Sequence, residues 1–118
     1  MISFDEVPVY LACGATDLRK QINGLSILVS SGFELDVFSP ALFVFCNRAR
    51  TLIRVLAFDT DGFILYTKRL ERGRFKWPVK TDKEDVMELE SCEFSQLLSS
   101  TKLDRRIRRE EIVERSVC

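Results

Sequence analysis

The sequence contains no histidine. Histidine has the side-chain pKa nearest neutrality and is the usual base that activates a serine or cysteine nucleophile. Its absence excludes Ser–His and Cys–His catalysis, so an enzyme built on this chain would depend on carboxylates, lysine or a metal ion. The sequence motifs of P-loop proteins, serine hydrolases, zinc proteases and EF-hands are also missing. We therefore expect a protein that is not an enzyme.

Long apolar runs are absent as well. No stretch approaches the roughly 18–20 apolar residues that a membrane span needs. The first apolar stretch, residues 7–13, is short, contains Pro8 and follows Asp5 and Glu6 rather than a basic segment, which is unlike a signal peptide. We therefore expect a cytoplasmic protein without a membrane partner.

Cysteine pairs with metal-site spacing are also lacking. Cys13, Cys46, Cys92 and Cys118 lie far apart and never form a C-x-x-C pair. Without histidine, a zinc site would need cysteines alone or carboxylates, and this spacing does not favour one. In a reducing cytosol we expect buried or unreactive thiols, and we expect neither a metal ion nor another cofactor.

The charge is balanced overall but unevenly distributed. The 118 residues carry no net charge, yet residues 48–80 hold nine basic and three acidic side chains, and each flanking segment is acidic. Such asymmetry indicates an anionic partner. The length fits one domain of roughly 100–200 residues. We expect a single domain over residues 1–101, followed by a charged tail or helix over residues 102–118.

The hydrophobic pattern predicts an α+β fold. Apolar runs bounded by turn residues predict strands at 7–12, 42–46, 52–58, 63–70, 74–77 and 86–89. A helix capped by Thr16 or Asp17 is expected to pack on one face of the sheet, and a C-terminal helix is expected to begin at Ser91. The Asp-Gly turn at 61–62 and the short connections predict an antiparallel β-meander of about four or five strands, either open or curled into a barrel.

Residues 74–77 alternate cations with aromatic side chains. On a strand, Phe75 and Trp77 would face one side, and Arg74 and Lys76 the other. The cations could neutralise phosphates and an exposed aromatic could stack on an unpaired base. Alternatively, the aromatics belong to the core and the cations face water. The core interpretation is favoured for the aromatics, and both interpretations of the cations stay open.

Arg19 and Lys20 follow Asp17 at the predicted start of the first helix. With the free N–H groups of a helix N-terminus, these cations could hold a phosphate. Equally, Asp17 could offset Arg19 locally, or both cations could face water. Arg54 lies between apolar residues on a predicted strand, where it either reaches the sheet edge or pairs with a buried acid.

Acidic residues raise a third possibility. Two-metal phosphoryl transfer needs converging carboxylates, for which Asp17, Asp59, Asp61 and Glu71 are the candidates. Asp59 and Asp61 lie in a D-x-D-G pattern typical of a turn, in which glycine supplies a positive φ. The turn interpretation is therefore favoured over a metal site.

Several blocks of sequence match a known family. They are D-L-R-K at 17–20, N-G-L at 23–25, L-F-V-F-C-N-R at 42–48, I-R-V-L-A-F-D at 53–59 and K-R-L-E-R-G-R-F-K-W-P at 68–78. In this order they resemble the small accessory proteins, often called TnpB or Orf2-like, of bacterial insertion sequences of the IS66 family. The resemblance implies a protein encoded beside a DDE-type transposase that assists transposition and has no established catalytic residues. Phe58 replaces a tryptophan of many relatives, and the charged tail is longer than usual.

These observations predict an accessory protein of DNA transposition. In the first hypothesis it binds the DNA backbone at the ends of the element, or binds that DNA together with the transposase. Whether it does so as a monomer or as a homo-oligomer is left open by the sequence. The expected contact residues are Arg19, Lys20, Arg48, Arg50, Lys68, Arg69, Arg72, Arg74 and Lys76. In the second hypothesis it is a protein–protein adaptor for the transposase with Trp77 or the tail as anchor. A metal-dependent nuclease is the third and least favoured hypothesis.

Overall fold

The computed structural model of the chain describes residues 7–99. The elements in chain order are β1 (Val9–Ala12), α1 (Ile22–Ile27), a π-helical turn (Leu28–Gly32), β2 (Leu42–Cys46), β3 (Leu52–Asp59), β4 (Gly62–Arg69), β5 (Val86–Leu89) and α2 (Ser91–Ser99). The predicted tail at 102–118 lies outside the described residues. Neither helix of the described part has the length and apolar character that crossing a membrane requires.

The strands form one five-stranded sheet in the order β4-β3-β2-β1-β5. β1 pairs in parallel with β2, and the other neighbours are antiparallel. The predicted α+β class is confirmed, and the predicted meander is present as β2, β3 and β4. The sheet is open, not a barrel, because β4 and β5 form its two edges and do not pair with each other.

β2 lies in the middle of the sheet and is buried on both faces, as its continuous apolar run predicts. Leu42 and Val44 point into one core cluster, which also contains Phe94 of α2. Phe43 and Phe45 point into the other cluster, beside Leu25 of α1 and its neighbours. Each fully buried side chain of this size contributes about 1.5–3 kcal/mol. Because Phe94 of α2 lies in one cluster and Leu25 of α1 in the other, the two helices cover opposite faces of the sheet.

The predicted strand at 74–77 is wrong. Phe75 makes only an isolated bridge, in which its N–H donates to the carbonyl oxygen of Arg50 at 2.7 Å. Phe75 and Trp77 are 1% and 7% exposed and belong to the core on the α2 face. The segment thus crosses that face towards β1 instead of extending the sheet, and the bonds from the Trp77 indole N–H to the Ala12 carbonyl and from the Gly14 N–H to the Pro78 carbonyl hold it there. The core interpretation of both aromatics is confirmed.

The first helix begins later than predicted, at Ile22, and neither Thr16 nor Asp17 caps it. The Asp17 side chain accepts a hydrogen bond from the backbone N–H of Arg19 at 3.0 Å, and the Lys20 N–H donates to the Asp17 carbonyl at 3.2 Å. This local turn competes with helix formation, as aspartate side chains often do. The helix starts only after the turn closes, with Gln21 at the N-cap.

Other predicted boundaries agree with the structure. β5 spans residues 86–89 and α2 begins at Ser91, both as predicted. The turn between β3 and β4 is confirmed, with Asp59 paired to Gly62. The positive φ in this turn belongs to Thr60, at 55°, and not to the glycine, which was the expectation.

Candidate nucleic-acid interface

All nine cations predicted to contact DNA are exposed, and several lie at one end of the sheet. Arg48 and Arg50 belong to the turn between β2 and β3, whereas Arg69, Arg72 and Arg74 lie at the end of β4 and in the segment after it. Two backbone hydrogen bonds join these loops: Leu70 N–H to the Thr51 carbonyl and Phe75 N–H to the Arg50 carbonyl, both at 2.7 Å. We call the surface formed by Arg48, Arg50, Arg69, Arg72 and Arg74 the basic end.

The remaining predicted cations are not all at this end. The Lys68 ammonium donates to the carbonyl oxygen of Leu98 at 3.2 Å, on the face covered by α2. Lys76 lines a cavity of about 350 Å³ on the same face. Lys20 lines a different cavity of about 210 Å³, beside Lys80 and Asp85. Lys20, Lys68 and Lys76 therefore do not share one surface with the basic end.

A larger cavity adjoins the basic end and contains a group of arginines. Its volume is about 780 Å³, and it lies between the loop before α1 and the β2–β3 turn. Its lining residues are Ala15, Thr16, Asp17, Leu18, Arg19, Gln21, Asn47, Arg48, Leu52 and Arg54. We call it the arginine cavity, after Arg19, Arg48 and Arg54.

Two sets of hydrogen bonds hold the walls of the arginine cavity. The backbone N–H of Thr16 donates to the Cys46 carbonyl at 2.8 Å, which fixes the loop before α1 to the end of β2. The Asn47 Oδ1 atom accepts from the backbone N–H groups of Thr51 at 2.9 Å and Leu52 at 3.1 Å. The turn that carries Arg48 is therefore closed by the Asn47 side chain.

Asp17 and Arg19 form an ion pair at the rim of the cavity. The Arg19 Nε and Nη2 atoms lie 3.0 and 2.9 Å from the two Asp17 carboxylate oxygens. These side-chain hydrogen bonds, together with the bond from the Arg19 backbone, lower the pKa of the Asp17 carboxyl from 3.8 to about 2. The Arg19 side chain is nevertheless 92% exposed. Local pairing of Asp17 with Arg19, one of the three alternatives predicted from the sequence, is observed.

Arg54 is the residue that sequence reasoning missed as a site residue. It lies in β3, opposite Phe45 of β2 and Thr67 of β4, on the sheet face that packs against α1. Its Nε and Nη1 atoms are buried and donate no hydrogen bond to any residue within 7–99. The buried-acid alternative is wrong for the described residues, because no carboxylate within residues 7–99 pairs with Arg54. β3 is an inner strand, and the Arg54 side chain lines the arginine cavity. The available signal was a lone arginine in an apolar strand.

Charge around the arginine cavity is mostly positive. Among the lining residues that the structure describes, Asp17 is the one carboxylate, against three guanidinium groups. At the basic end, Arg69 pairs with Glu71 at 3.0 Å, with both side chains more than two-thirds exposed. Within residues 7–99, Arg48, Arg50, Arg72 and Arg74 form no ion pair. Exposed pairs such as Arg69–Glu71 contribute little, so most of this positive charge is available to an anion.

The acidic candidates do not converge. Asp59 and Asp61 lie at the β3–β4 turn, whereas Asp17 and Glu71 are each bound to an arginine. In the part of the chain that the structure describes, no three side chains of the metal-binding types come together around a possible ion.

Trp77, the predicted partner anchor, lies in the core. Its indole N–H donates a hydrogen bond to the Ala12 carbonyl at 2.9 Å.

Comparison with known proteins identifies the family. The family described as IS66 Orf2 like protein matches residues 7–108. Two relatives are the uncharacterized proteins y4hO and y4jC of Sinorhizobium fredii (strain NBRC 101917 / NGR234). The chain is 41% identical to y4hO over 76 residues, which are 64% of this chain and 66% of y4hO. It is 33% identical to y4jC over 91 residues, which are 77% and 76% of the two chains.

The chain thus spans just under two thirds of y4hO and about three quarters of y4jC. No solved structure matches the chain significantly. The matched family is not a known enzyme family, and it supports an accessory role in transposition. Because the family match covers most of the sequence, this chain belongs to the family of IS66 Orf2-like proteins.

Proposed function

We propose that this protein assists transposition of an IS66-type element by binding the phosphate backbone of DNA through the basic end and the arginine cavity. The observation that carries the proposal is the grouping of Arg19, Arg48 and Arg54 around one cavity, in which the single carboxylate of the described lining is already bound to Arg19. The DNA would be the ends of the element, bound alone or together with a DDE-type transposase.

Backbone binding fits the chemistry of this surface. Arginine neutralises phosphates, and the counterions released on binding supply affinity that does not depend on base sequence. Arg48, Arg50, Arg72 and Arg74 are exposed and form no ion pair within residues 7–99, so binding requires no internal ion pair to break at these positions. We therefore expect weak sequence selectivity and a steep dependence on salt.

Fluorescence anisotropy with a labelled duplex tests the proposal. Affinity should fall steeply between about 50 and 200 mM salt, and the double substitution Arg72→Gln with Arg74→Gln should reduce the log–log salt slope by up to about 1.8. Lys68→Gln is the control, because the Lys68 ammonium donates to the Leu98 carbonyl on the face covered by α2, away from the basic end. Loss of this charge should leave the salt slope almost unchanged. A wild-type protein that binds no DNA even at the lowest salt would refute the proposal.

A transposase adaptor is the second candidate, and one exposed aromatic favours it. Phe38 is 61% exposed and contacts the rings of Phe58 and Phe63, with centroids 5.1 and 5.6 Å apart. Aromatic side chains are enriched among the residues that dominate protein interfaces. If this candidate is correct, the protein co-purifies with the transposase after nuclease treatment and Phe38→Ser abolishes the association. Co-purification unaffected by Phe38→Ser would exclude this aromatic group as the interface.

A further inference from the structure

We propose that the arginine cavity binds the phosphate monoester of a single nucleotide, with Arg54 as the central ligand to the phosphate. We assign this nucleotide to the 5′ end of a DNA strand. The assignment to DNA rests on the proposed function, whereas the phosphate site itself does not. The cavity would then bind the end of a strand in preference to a continuous backbone. The exposed arginines of the basic end would have no such preference.

The first support is the state of Arg54. Its Nε and Nη1 atoms are buried, yet they donate no hydrogen bond within the described part of the chain. The Arg54 side chain as a whole is half-buried, but buried guanidinium nitrogens without acceptors destabilise a fold, and an anion can supply those acceptors. The planar fork of arginine matches the oxygens of a phosphate, which can accept two parallel hydrogen bonds. Arg54 lines the cavity, so a phosphate bound there would lie against its guanidinium group, and a shift of the side chain would bring the two buried nitrogens within hydrogen-bond distance of the phosphate oxygens.

The second support is the size of the cavity. About 780 Å³ is far more than one phosphate group fills, and it falls within the roughly 300–1,000 Å³ of pockets that enclose small ligands. Thr16 and Gln21 bring a hydroxyl and an amide to the lining, whereas Leu18 and Leu52 bring apolar surface. This mixture suits a sugar and a base next to a phosphate. The cavity is therefore of the size and composition that a nucleotide needs.

The third support is the placement of the three arginines. Arg19 and Arg48 are exposed, whereas two guanidinium nitrogens of Arg54 are inaccessible to solvent. A phosphate inside a continuous duplex carries a sugar on each side and stays at the helix surface, within reach of exposed cations. A terminal phosphate carries a sugar on one side only and can enter a recess. Recessed Arg54 with exposed arginines beside it favours the terminal group.

The test compares two single-stranded oligonucleotides of the same sequence, one with a 5′-phosphate and one with a 5′-hydroxyl. Wild-type protein should bind the phosphorylated strand about tenfold more tightly, as expected for charge-assisted hydrogen bonds. Arg54→Met should reduce this preference to less than about twofold. The matched control, Arg72→Met, removes the same charge from the basic end and should weaken binding of both strands while keeping their ratio.

A second measurement uses wild-type protein and so does not depend on the folding of a variant. The Nε–H resonance of Arg54 in a nitrogen-edited NMR spectrum should shift on addition of dTMP, and thymidine without phosphate should not shift it. Inorganic phosphate should cause the same shift only at much higher concentration. Equal affinities for inorganic phosphate and dTMP would overturn the assignment to a nucleotide.

The outcomes separate this inference from the proposed function. Wild-type protein that binds both strands equally would overturn the strand-end assignment and leave general backbone binding intact. A dTMP response without any DNA binding would overturn the proposed function and leave the cavity as a site for free nucleotides. An unchanged Arg54 resonance at saturating dTMP would overturn the phosphate site altogether.

Discussion

The indole N–H of Trp77 donates a hydrogen bond to the carbonyl oxygen of Ala12 at 2.9 Å, between residues 65 positions apart in the sequence. This bond fixes the segment after β4 to the end of β1. In the sheet, β1 is separated from β4 by both β3 and β2. Both residues are buried, so no water replaces the bond when it is lost. Trp77 in this position serves the core, and its indole is not presented to a partner.

Trp77→Phe should therefore lower the free energy of unfolding by about 1–3 kcal/mol, because it leaves the Ala12 carbonyl buried without a donor while keeping an aromatic ring. Urea unfolding followed by circular dichroism measures the change. Val79→Ser is the control: Val79 is 64% exposed, and its substitution should change stability by less than about 0.5 kcal/mol. Equal stability of Trp77→Phe and wild type would contradict this account.

Short-range sequence patterns predicted the central strand β2 and the β3–β4 hairpin correctly. The run at 42–46 is apolar at every position and is bounded by Pro40 and Asn47, which suits a short strand buried on both faces, and β2 has these bounds. Turn chemistry at 59–62 placed the β3–β4 hairpin. Both signals are contained within a few residues, so no knowledge of distant contacts was needed to interpret them.

The errors arose where a distant or side-chain contact decides the structure. Alternation at 74–77 is typical of a strand, but Phe75 and Trp77 are buried by residues far away in the sequence. The side chain of Asp17 forms a turn with Arg19 instead of capping the helix. The arginine cavity depends on bringing Arg54 next to the loop before α1, and sequence gives no measure of that distance.

Asn47 is expected to be a second determinant of stability. Its Oδ1 atom accepts two backbone hydrogen bonds that close the turn between β2 and β3. Asn47→Ala leaves both N–H groups without this acceptor and should lower the free energy of unfolding by about 1–3 kcal/mol. Asn47→Asp keeps an oxygen in the same place and should cost less. Equal losses in the two variants, measured by thermal or urea unfolding, would show that the acceptor is not responsible.

The Cys46 thiol should make stability depend on alkaline pH. Burial raises the pKa of Cys46 from 9.0 to about 11, so the folded state favours the protonated thiol. A raised pKa gives a contribution that is complete below pH 9 and is lost as the pH rises towards 11. Wild-type protein should therefore lose stability over this range, and Cys46→Ala should show a smaller loss.

Alkylation provides an independent measurement at Cys46. At pH 8.5 native Cys46 should react with iodoacetamide far more slowly than in urea, because it is both buried and protonated. Cys13, which is also buried and has a raised pKa, should behave similarly. Rapid labelling of Cys46 in the native protein, detected by mass spectrometry, would contradict the burial on which both expectations depend.

Asp17 should limit the affinity of the arginine cavity for anions. With a pKa of about 2, its carboxyl is ionised at neutral pH and holds the Arg19 guanidinium through two hydrogen bonds. Asp17→Asn removes this charge, so it should strengthen DNA binding and steepen the log–log salt slope by up to about 0.9. Asp61→Asn makes the same change in net charge at the exposed β3–β4 turn and should leave the slope nearly unchanged.

The acid titration of Asp17 tests the same pair directly. Because the folded pKa is depressed, the pair contributes to stability above about pH 4, and this contribution is lost as the pH falls towards 2. The carboxyl resonance of Asp17 should therefore titrate near pH 2 in wild-type protein and at a higher pH in Arg19→Gln, in which only the backbone N–H of residue 19 still donates to the carboxylate. An ordinary pKa in wild type would mean that Arg19 is unpaired in solution, and Asp17→Asn should then affect DNA binding no more than Asp61→Asn does.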